Sequence, residues 1–341
     1  MSSQNLAALI PGARKALEVT SLPRNHPAPG EILIRNQAIA IQPLDAKMLL
    51  SGYGGAGALE SFPAVLGSSG AGIVEELGEG ITGLAAGDRV VFDTQALVKG
   101  GETNRREGTW QQLVICNAKT VAKIGDIAFE QAVLIEFPLQ TAVGALHLFL
   151  GMGKPGTGSD GEKVLVWGAG GAVGSHAVQY AKSAGHTVIV TASPRDAERQ
   201  KRLGASEVVD YKAPDVVDQL RSLGPYKYLF TGSGDPASQK ALASLLQPQG
   251  GRFASVLGGE VGLPSNVERI YKPFSKAAQK DENGEFRGWW YREYLPKVLK
   301  ENLVEPVKFT RRDGGLVAVQ QASVDVFEGK VRGKLVVNPQ E

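Results

Sequence analysis

Hydrophobic positions along the chain follow two different patterns, and the change falls near residue 129. Before it, short apolar and β-branched runs alternate with turn residues, which predicts strands at residues 31–40, 71–77, 89–92 and 110–116. The polar stretch at residues 99–108 predicts an exposed loop. The first part of the chain is therefore expected to be rich in β-structure.

After residue 129, predicted strands and helices alternate. Strands are predicted at residues 163–167, 186–191, 226–230 and 252–257, and helices at residues 141–150, 172–183, 196–203 and 236–246. Such alternation is typical of a parallel sheet with helices on both faces, so the fold class is α/β. Two more helices, at residues 293–301 and 316–327, and a short strand at residues 334–337 complete the prediction.

A glycine-rich turn joins the predicted strand at residues 163–167 to the helix that follows it. Gly168, Gly171 and Gly174 occur at a spacing of three, with Ala172 and Val173 opening the helix. In dinucleotide-binding folds such glycines permit a tight turn, close backbone approach to a pyrophosphate, and packing of the helix on the strand. The N–H groups and dipole of the helix start then favour phosphate. This segment predicts a dinucleotide phosphate site.

The end of the second strand of this region distinguishes between two cofactors. An NAD site usually carries an acidic residue there, yet no acid occurs between Glu162 and Asp196. Ser193 and Arg195 stand in that segment, and a hydroxyl with a guanidinium suits a 2′-phosphate. The sequence therefore favours NADPH over NADH, with a solvated helix-start role as the alternative for Arg195.

Length, charge and cysteine content narrow the classes of protein further. A chain of 341 residues suggests two domains, and a net charge of +2 gives no basic footprint for nucleic acid or an anionic membrane. The uncharged run at residues 164–181 is interpreted as strand, turn and helix rather than a membrane span. The N-terminus lacks a signal-peptide pattern, so a cytoplasmic protein is expected. Cys116 is the only cysteine, and the four histidines are dispersed, so no metal site is predicted.

Four signatures, in order, resemble the medium-chain dehydrogenase/reductase superfamily. They are the opening strand and Pro-x-Asp turn at residues 31–45, the segments at residues 63–74 and 87–90, the glycine turn with residues 203–205 and 209–211 downstream, and the ending at residues 328–337. Within the superfamily the chain is most similar to the zinc-independent, quinone-reductase-like branch. The pattern Asp45-Ala46-Lys47 and the C-terminal pattern make it similar to fungal trans-acting enoyl reductases of polyketide pathways.

This resemblance implies a definite domain organisation. A GroES-like β domain would consist of residues 1–132 and 288–341, with a Rossmann NADPH-binding domain at residues 133–287. The active site would lie in the cleft between them. The chain departs from the zinc-dependent members because Gly67-Ser68-Ser69 replaces their Gly-His-Glu. Gln42 also replaces the usual Asn of the opening turn, so the nicotinamide-side contact of that position is left open.

The resemblance and the loop chemistry together suggest three catalytic candidates. The resemblance places Lys47 facing the nicotinamide, where an ammonium could orient substrate or stabilise a developing enolate oxygen, with a plain surface lysine as the alternative. It also places Thr141 at a helix start near the nicotinamide, with helix capping as the alternative. Tyr53 could donate a proton, or could simply be a packing group.

Further cofactor contacts come from the ends of other elements. Tyr211 matches the family tyrosine that packs beside the adenosine phosphate. Gly232 and Leu257 follow the fourth and fifth strands, at the carboxyl ends where open α/β sheets bind ligands. Lys334 is expected to reach the cofactor from the C-terminal segment.

These features favour an NADPH-dependent reductase that transfers hydride to an activated C=C bond in an enoyl thioester or enone. The alternatives are an NADPH quinone oxidoreductase and a non-catalytic NADPH-binding protein. The expected substrate is a small molecule or a carrier-bound enoyl group. A polyketide synthase is then a candidate partner, and the sequence leaves monomer and homodimer open.

Overall fold

The structure is a computed structural model that describes residues 4–53, 59–158 and 161–341. The chain folds into two compact units. The first comprises Met1–Phe137, Ala278–Leu303 and Lys308–Glu341, and the second comprises Pro138–Ala277 and Val304–Val307. The domain limits expected from the sequence fall near these divisions and remain a prediction.

The regular elements are named in chain order. Up to the boundary between the units they are β1 (Gln4–Ile10), β2 (Glu18–Pro23), β3 (Glu31–Ala40), α1 (Pro43–Ser51), β4 (Ala64–Val65), β5 (Ser69–Leu77), β6 (Arg89–Asp93), α2 (Gly101–Glu107), β7 (Leu113–Asn117), β8 (Val121–Lys123) and α3 (Phe129–Val143). Next come β9 (Lys163–Trp167), α4 (Ala172–Ser183), β10 (Thr187–Ala192), α5 (Ala197–Leu203), β11 (Ala205–Asp210), α6 (Val216–Leu223), β12 (Tyr228–Thr231), α7 (Pro236–Leu245), β13 (Gly251–Ser255) and β14 (Val267–Ile270). The last elements are α8 (Gly284–Trp289), α9 (Leu295–Lys300), β15 (Phe309–Arg311), α10 (Val319–Phe327) and β16 (Lys334–Val337).

β3 is the central strand of the first unit. It pairs antiparallel with β5, β7 and β16, while β1 pairs with β2 and β4 in a separate small sheet. Ile32 and Ile34 of β3 join one apolar cluster with Phe92, whereas Leu33 packs with Leu113 in another. Because successive side chains of a strand point to opposite faces, coverage of both faces explains the three consecutive apolar residues at Ile32–Ile34.

The second unit is built on a sheet in the order β11-β10-β9-β12-β13-β14. All its neighbouring strands are parallel. Counted within the unit this is the order 3-2-1-4-5-6, in which the chain reverses direction along the sheet between β9 and β12. The predicted doubly wound parallel sheet is therefore confirmed.

Several local predictions are confirmed and others are wrong. The uncharged run at residues 164–181 is indeed strand, turn and helix. Residues 99–108 were expected to form an exposed loop, but α2 occupies most of them and Asn104 is buried. The Asn104 side chain donates to the Ala96 carbonyl and accepts from the Val65 N–H, a long-range role that local polarity does not reveal. The hairpin of β1 and β2 and the strand β14 were missed.

The helix that contains Thr141 begins earlier than expected. α3 starts at Phe129 and continues into a π-helical segment, Gly144–Phe149, so Thr141 lies near the end of α3 rather than at a helix start. By length and composition the whole helix, Phe129–Phe149, could span a membrane, but 78% of its most apolar window is buried within the protein. Burial as a core helix accounts for this hydropathy.

Candidate active site

The glycine turn between β9 and α4 has the geometry of a phosphate cradle. Gly168 adopts a φ of +80°, and Gly171 caps α4 without a side-chain hydrogen bond to the helix start. A Cβ on Gly174 would lie 2.2 Å from the Gly168 carbonyl oxygen, so only glycine permits this helix to pack so close to the strand. Gly171 is exposed and Ala172 and Val173 are partly exposed, so the N–H groups that begin the helix are accessible to an anion.

The ends of β12 and β13 meet the same turn. A Cβ on Gly232 would lie 3.1 Å from Gly174 Cα, and one on Gly234 would lie 2.7 Å from the Leu257 nitrogen. The Gln239 amide nitrogen holds these two ends together, because it donates to the Gly234 carbonyl at 2.6 Å and to the Leu257 carbonyl at 3.4 Å. Gly232 and Leu257 therefore lie at the point where the strand order reverses, which is where open α/β sheets bind ligands.

The end of β10 carries the predicted 2′-phosphate residues. Ser193 is half-buried and Arg195 is exposed, and neither side chain is hydrogen-bonded within the described part of the chain. β10 and β11 pair with Ala192 opposite Asp210, so Tyr211, which is 44% exposed, leaves the neighbouring strand end beside Ser193. The structure thus brings these three residues to one edge of the sheet.

The structure also shows an acidic residue at this edge that sequence reasoning passed over. The Asp196 carboxylate approaches the glycine turn, since a Cβ on Gly170 would lie 3.3 Å from Asp196 Oδ2. That oxygen accepts a 2.6 Å hydrogen bond from Gln200 and lies 4.0 Å from the Arg199 guanidinium. The sequence shows Asp196 directly after Arg195, but this position lies beyond the strand end that usually carries the acid of an NAD site.

Lys47 and Tyr53 lie at the C-terminal end of α1 in the first unit. Pro43 in the first turn and Asp45 near the N-terminus favour a helix start, and Gly52 ends the helix in the left-handed conformation with a φ of +72°. The Tyr53 N–H then bonds back to the Lys47 carbonyl, and the Lys47 ammonium lies 5.6 Å from the centroid of the Tyr53 ring. Within the described residues no carboxylate pairs with that ammonium.

Lys334 is buried beside the start of the same helix. Its ammonium donates to the Gln42 side-chain oxygen, and only 7% of Lys334 and 5% of Gln42 are exposed. Burial lowers the pKa of Lys334 to about 8, although the nearby charge of Asp45 opposes this shift. Lys334, the C-terminal lysine predicted to reach a cofactor, thus contacts Gln42, a side chain of its own unit.

Thr141 belongs to the second unit, on α3, and is 8% exposed. Pro138 lies three residues before it inside the helix. Proline cannot donate the usual backbone hydrogen bond, so the helix is locally weakened next to Thr141. Its proposed contact with a nicotinamide stays a prediction.

A buried hydrogen-bonded cluster of the first unit occupies the segment where zinc-dependent relatives carry a ligand. Ser69 donates to Glu136 Oε2 at 2.8 Å and Tyr291 donates to Glu136 Oε1 at 3.0 Å. Burial and the neighbouring Glu136 raise the pKa of Tyr291, which keeps it a neutral donor. Burial likewise raises the pKa of Cys116, so its thiol stays protonated and is a poor metal ligand.

Comparisons with known proteins extend this picture. The family model described as alcohol dehydrogenase GroES-like domain matches residues 28–126, and the one described as zinc-binding dehydrogenase matches residues 172–279. The trans-enoyl reductase tndF of Aspergillus flavipes is 32% identical over 354 residues, which cover 99% of this chain and 99% of that protein. The chain belongs to the trans-enoyl reductase family of medium-chain dehydrogenase/reductases. The trans-enoyl reductase himH of Aspergillus japonicus is 30% identical, and the match covers 98% of this chain and 97% of that protein.

A solved structure supports the same fold. The quinone oxidoreductase of Pseudomonas syringae superposes with a TM-score of 0.75 at 23% identity, covering 99% of this chain and 100% of that protein. The predicted combination of a GroES-like domain with a Rossmann domain is therefore confirmed. As a member of this family, the protein is an oxidoreductase that depends on a nicotinamide dinucleotide.

The two cofactor classes implied by the family fit this chain differently. The accessible N–H groups at Gly171–Val173 and the close approach at Gly174 fit a dinucleotide pyrophosphate. Zinc does not fit, because no three or more His, Cys, Asp or Glu residues in the described part of the chain lie together as a ligand set. Independence from zinc nevertheless remains a prediction.

Proposed function

We propose that this protein is an NADPH-dependent, zinc-independent reductase of an activated C=C bond in an enoyl thioester or enone. The observation that carries the proposal is Lys47, a half-buried ammonium beside Tyr53 that pairs with no carboxylate among the described residues. An ammonium left without a counter-ion can stabilise negative charge that develops on a substrate. Trans-enoyl reductases related over the full chain favour the same reaction class.

The second unit supplies the residues that would hold the dinucleotide. Backbone N–H groups from Gly171, Ala172 and Val173 would bind the pyrophosphate, with Gly168 and Gly174 allowing its close approach. Gly232 and Leu257 would border the site at the reversal of strand order. When bound, the reduced nicotinamide supplies the hydride.

The chain's own residues have the remaining chemical tasks. As the β-carbon of the substrate gains hydride, its π electrons move toward the carbonyl oxygen, and the Lys47 ammonium stabilises the charge that forms there. The α-carbon then requires a proton, which the Tyr53 hydroxyl can hold at its 39% exposed position. Thr141 can orient a carbonyl or carboxamide through its hydroxyl.

Preference for NADPH over NADH rests on the end of β10. The exposed Arg195 guanidinium and the Ser193 hydroxyl are both available to a 2′-phosphate. Asp196 would favour a ribose hydroxyl instead, but Gln200 already occupies one of its oxygens at 2.6 Å. The exposed Arg195 therefore favours NADPH more strongly than the hydrogen-bonded Asp196 favours NADH.

The related trans-enoyl reductases support the proposed substrate class. Trans-enoyl reductases such as tndF favour an enoyl substrate, either a small molecule or a group on a carrier that a polyketide synthase presents. A cytoplasmic location fits this role. Monomer and homodimer are both compatible with it.

A labelling experiment tests the proposal. NADPH carrying deuterium at the transferable position is mixed with a crotonyl thioester, a small enone and a quinone, and the products are analysed by mass spectrometry and NMR. We expect deuterium at the β-carbon of the thioester or enone, with the second hydrogen taken from solvent. Ready reduction of quinones alone would make the protein a quinone reductase, and NADPH binding without oxidation of NADPH would make it a binding protein.

A further inference from the structure

We propose that Lys334 is a positioning residue that fixes the amide of Gln42, so that Gln42 presents its NH2 group to an acceptor oxygen of a ligand. This inference rests on the proposed function, because the helix that Gln42 caps also carries Lys47. It replaces the direct cofactor contact that the sequence suggested for Lys334. It also gives a definite role to Gln42, where the family resemblance leads one to expect Asn.

The topology of the first unit brings the two residues together. β16 pairs antiparallel with the end of β3, with Val336 opposite Ala40, and the Ile41 N–H extends this ladder to the Leu335 carbonyl at 3.0 Å. One further step in this register places Lys334 opposite Gln42, the residue that caps α1. Residues 292 positions apart in the chain are thereby held at a fixed distance by backbone hydrogen bonds.

The chemistry of the pair fixes the orientation of the amide. An ammonium has three donors and no acceptor, so a charged Lys334 can accept nothing from Gln42 and must face its oxygen. The contact between Lys334 Nζ and Gln42 Oε1 agrees with this requirement. The Gln42 NH2 group is then directed away from the lysine. A partner that could both donate and accept would allow either orientation of the amide.

The NH2 group of Gln42 is available to a ligand. Only 5% of Gln42 is exposed, yet its Nε2 atom makes no hydrogen bond within the described part of the chain. The Nε2 atom is not fully buried, so a ligand can reach it. A nearly buried amide rarely leaves both of its N–H groups unused, which points to an acceptor that arrives with a ligand.

The surroundings of Lys334 allow its charge to be switched. Among the elements packed against it, α1 contributes the buried acid Asp45, while the residues opposite it or next to it in the sheet, such as Ile41, Leu335 and Phe309, are uncharged. Asp45 also accepts from the Gln42 backbone N–H at 3.3 Å. Burial lowers the pKa of Lys334 to about 8, and above that pH a neutral amine could accept from the amide as well as donate to it.

The test begins with NMR of the dinucleotide-free protein labelled at glutamine side-chain nitrogen. The Gln42 signals are assigned by their loss in Gln42→Leu, and Lys334→Met is compared with Lys334→Arg, which keeps a donor-only cation. Lys308→Met is the matched control, because Lys308 is an exposed lysine on the neighbouring segment. We expect the Gln42 NH2 pair to shift or broaden in Lys334→Met and, in the native protein, as pH rises through about 8, and to stay native-like in Lys334→Arg and Lys308→Met.

Binding measurements then identify the source of the acceptor oxygen. Loss of one neutral hydrogen bond in Gln42→Leu should weaken a ligand by roughly 2- to 12-fold. A larger dissociation constant for NADPH assigns the contact to the dinucleotide, whereas an unchanged constant with a raised KM assigns it to the substrate. Unchanged values for both would overturn the ligand contact.

The outcomes separate this inference from the proposed function. If Gln42 signals are the same in Lys334→Met and the native protein, the positioning role is wrong whatever the protein catalyses. If the signals change as expected but no enone is reduced, the reaction assignment is wrong and the amide lock stands. Should Lys334→Met fail to fold, Lys334→Arg and the pH titration of the native protein decide the question.

Discussion

The phosphate cradle of the second unit and the functional side chains at α1 of the first unit are built in opposite ways. The cradle uses backbone N–H groups and the missing side chains of Gly168, Gly171 and Gly174, all within one short segment. The α1 region uses the side chains of Gln42 and Lys47, together with Lys334, which lies far along the chain and contacts Gln42. A site made of backbone depends on local conformation, whereas a site made of side chains depends on strand pairing and burial.

Lys47→Ala carries the largest expected effect, because it removes the cation proposed to stabilise charge on the substrate. Loss of a preorganised donor should lower turnover by about 10²- to 10³-fold, or about 2.7–4 kcal/mol. NADPH affinity should stay within a few-fold, since the cradle is untouched. Steady-state kinetics with an enone and fluorescence titration of NADPH measure the two quantities.

Lys119→Ala, at an exposed lysine of the same unit, is the matched control for Lys47→Ala. Both variants should keep the native melting temperature within a few degrees. Equal turnover in the two variants would remove Lys47 from the mechanism.

Stability as a function of pH tests the burial of Lys334. Its pKa is about 8 in the folded protein against 10.5 in the unfolded chain, so between these values the unfolded state binds more protons. The free energy of unfolding should therefore rise with pH in that window, by roughly 3 kcal/mol relative to Lys334→Met, in which no such group titrates.

Urea unfolding of the native protein and Lys334→Met at pH 7.5 and pH 11 measures this difference, because all other titrating groups cancel between the two. Lys308→Met should follow the native curve. Parallel curves for the native protein and Lys334→Met would contradict the burial of a charged lysine.

Arg195→Ala should separate the two dinucleotides. Loss of a charge-assisted contact to the 2′-phosphate should weaken NADPH by about 1.5–3 kcal/mol, with NADH nearly unchanged. Titration of the native protein and the variant with both dinucleotides measures the ratio. Native protein that binds both equally tightly would rule out the preference.

Asp196→Asn sharpens that experiment, because it removes the acid that approaches the glycine turn while keeping its size. We expect slightly tighter NADPH binding and weaker NADH binding. An effect in the opposite direction would show that Asp196 supports the phosphate indirectly through Arg199.

The glycine cradle offers a matched pair of substitutions. Gly174→Ala places a Cβ 2.2 Å from the Gly168 oxygen and should destabilise the fold by about 1–3 kcal/mol. Gly171→Ala meets nothing closer than 4.0 Å at a φ of −79°, so stability should be unchanged. Thermal unfolding separates the two, and equal melting temperatures would show that the turn relaxes freely.

Sequence patterns predicted much of the local structure because their causes are local. β3, α4 and β16 agree with their predicted bounds, since apolar periodicity, glycine and β-branched residues act over a few positions. α2 was missed because Asn104 is buried by partners at Val65 and Ala96, which local polarity cannot show. The start of α3 was missed because its continuous apolar run carries no clear period.

The candidate site also combines features that local sequence predicts with features that depend on tertiary contacts. Local sequence is enough to define the phosphate cradle, since a strand, a glycine turn and a helix start are consecutive and their backbone geometry follows from the absence of Cβ atoms. Folding of the chain was needed to bring Lys334 to Gln42, Asp196 to the turn and the Lys47 ammonium over the Tyr53 ring. Those contacts depend on strand register, on helix ends and on burial, and the free energy of each comes from neighbours that the chain brings together only when it folds.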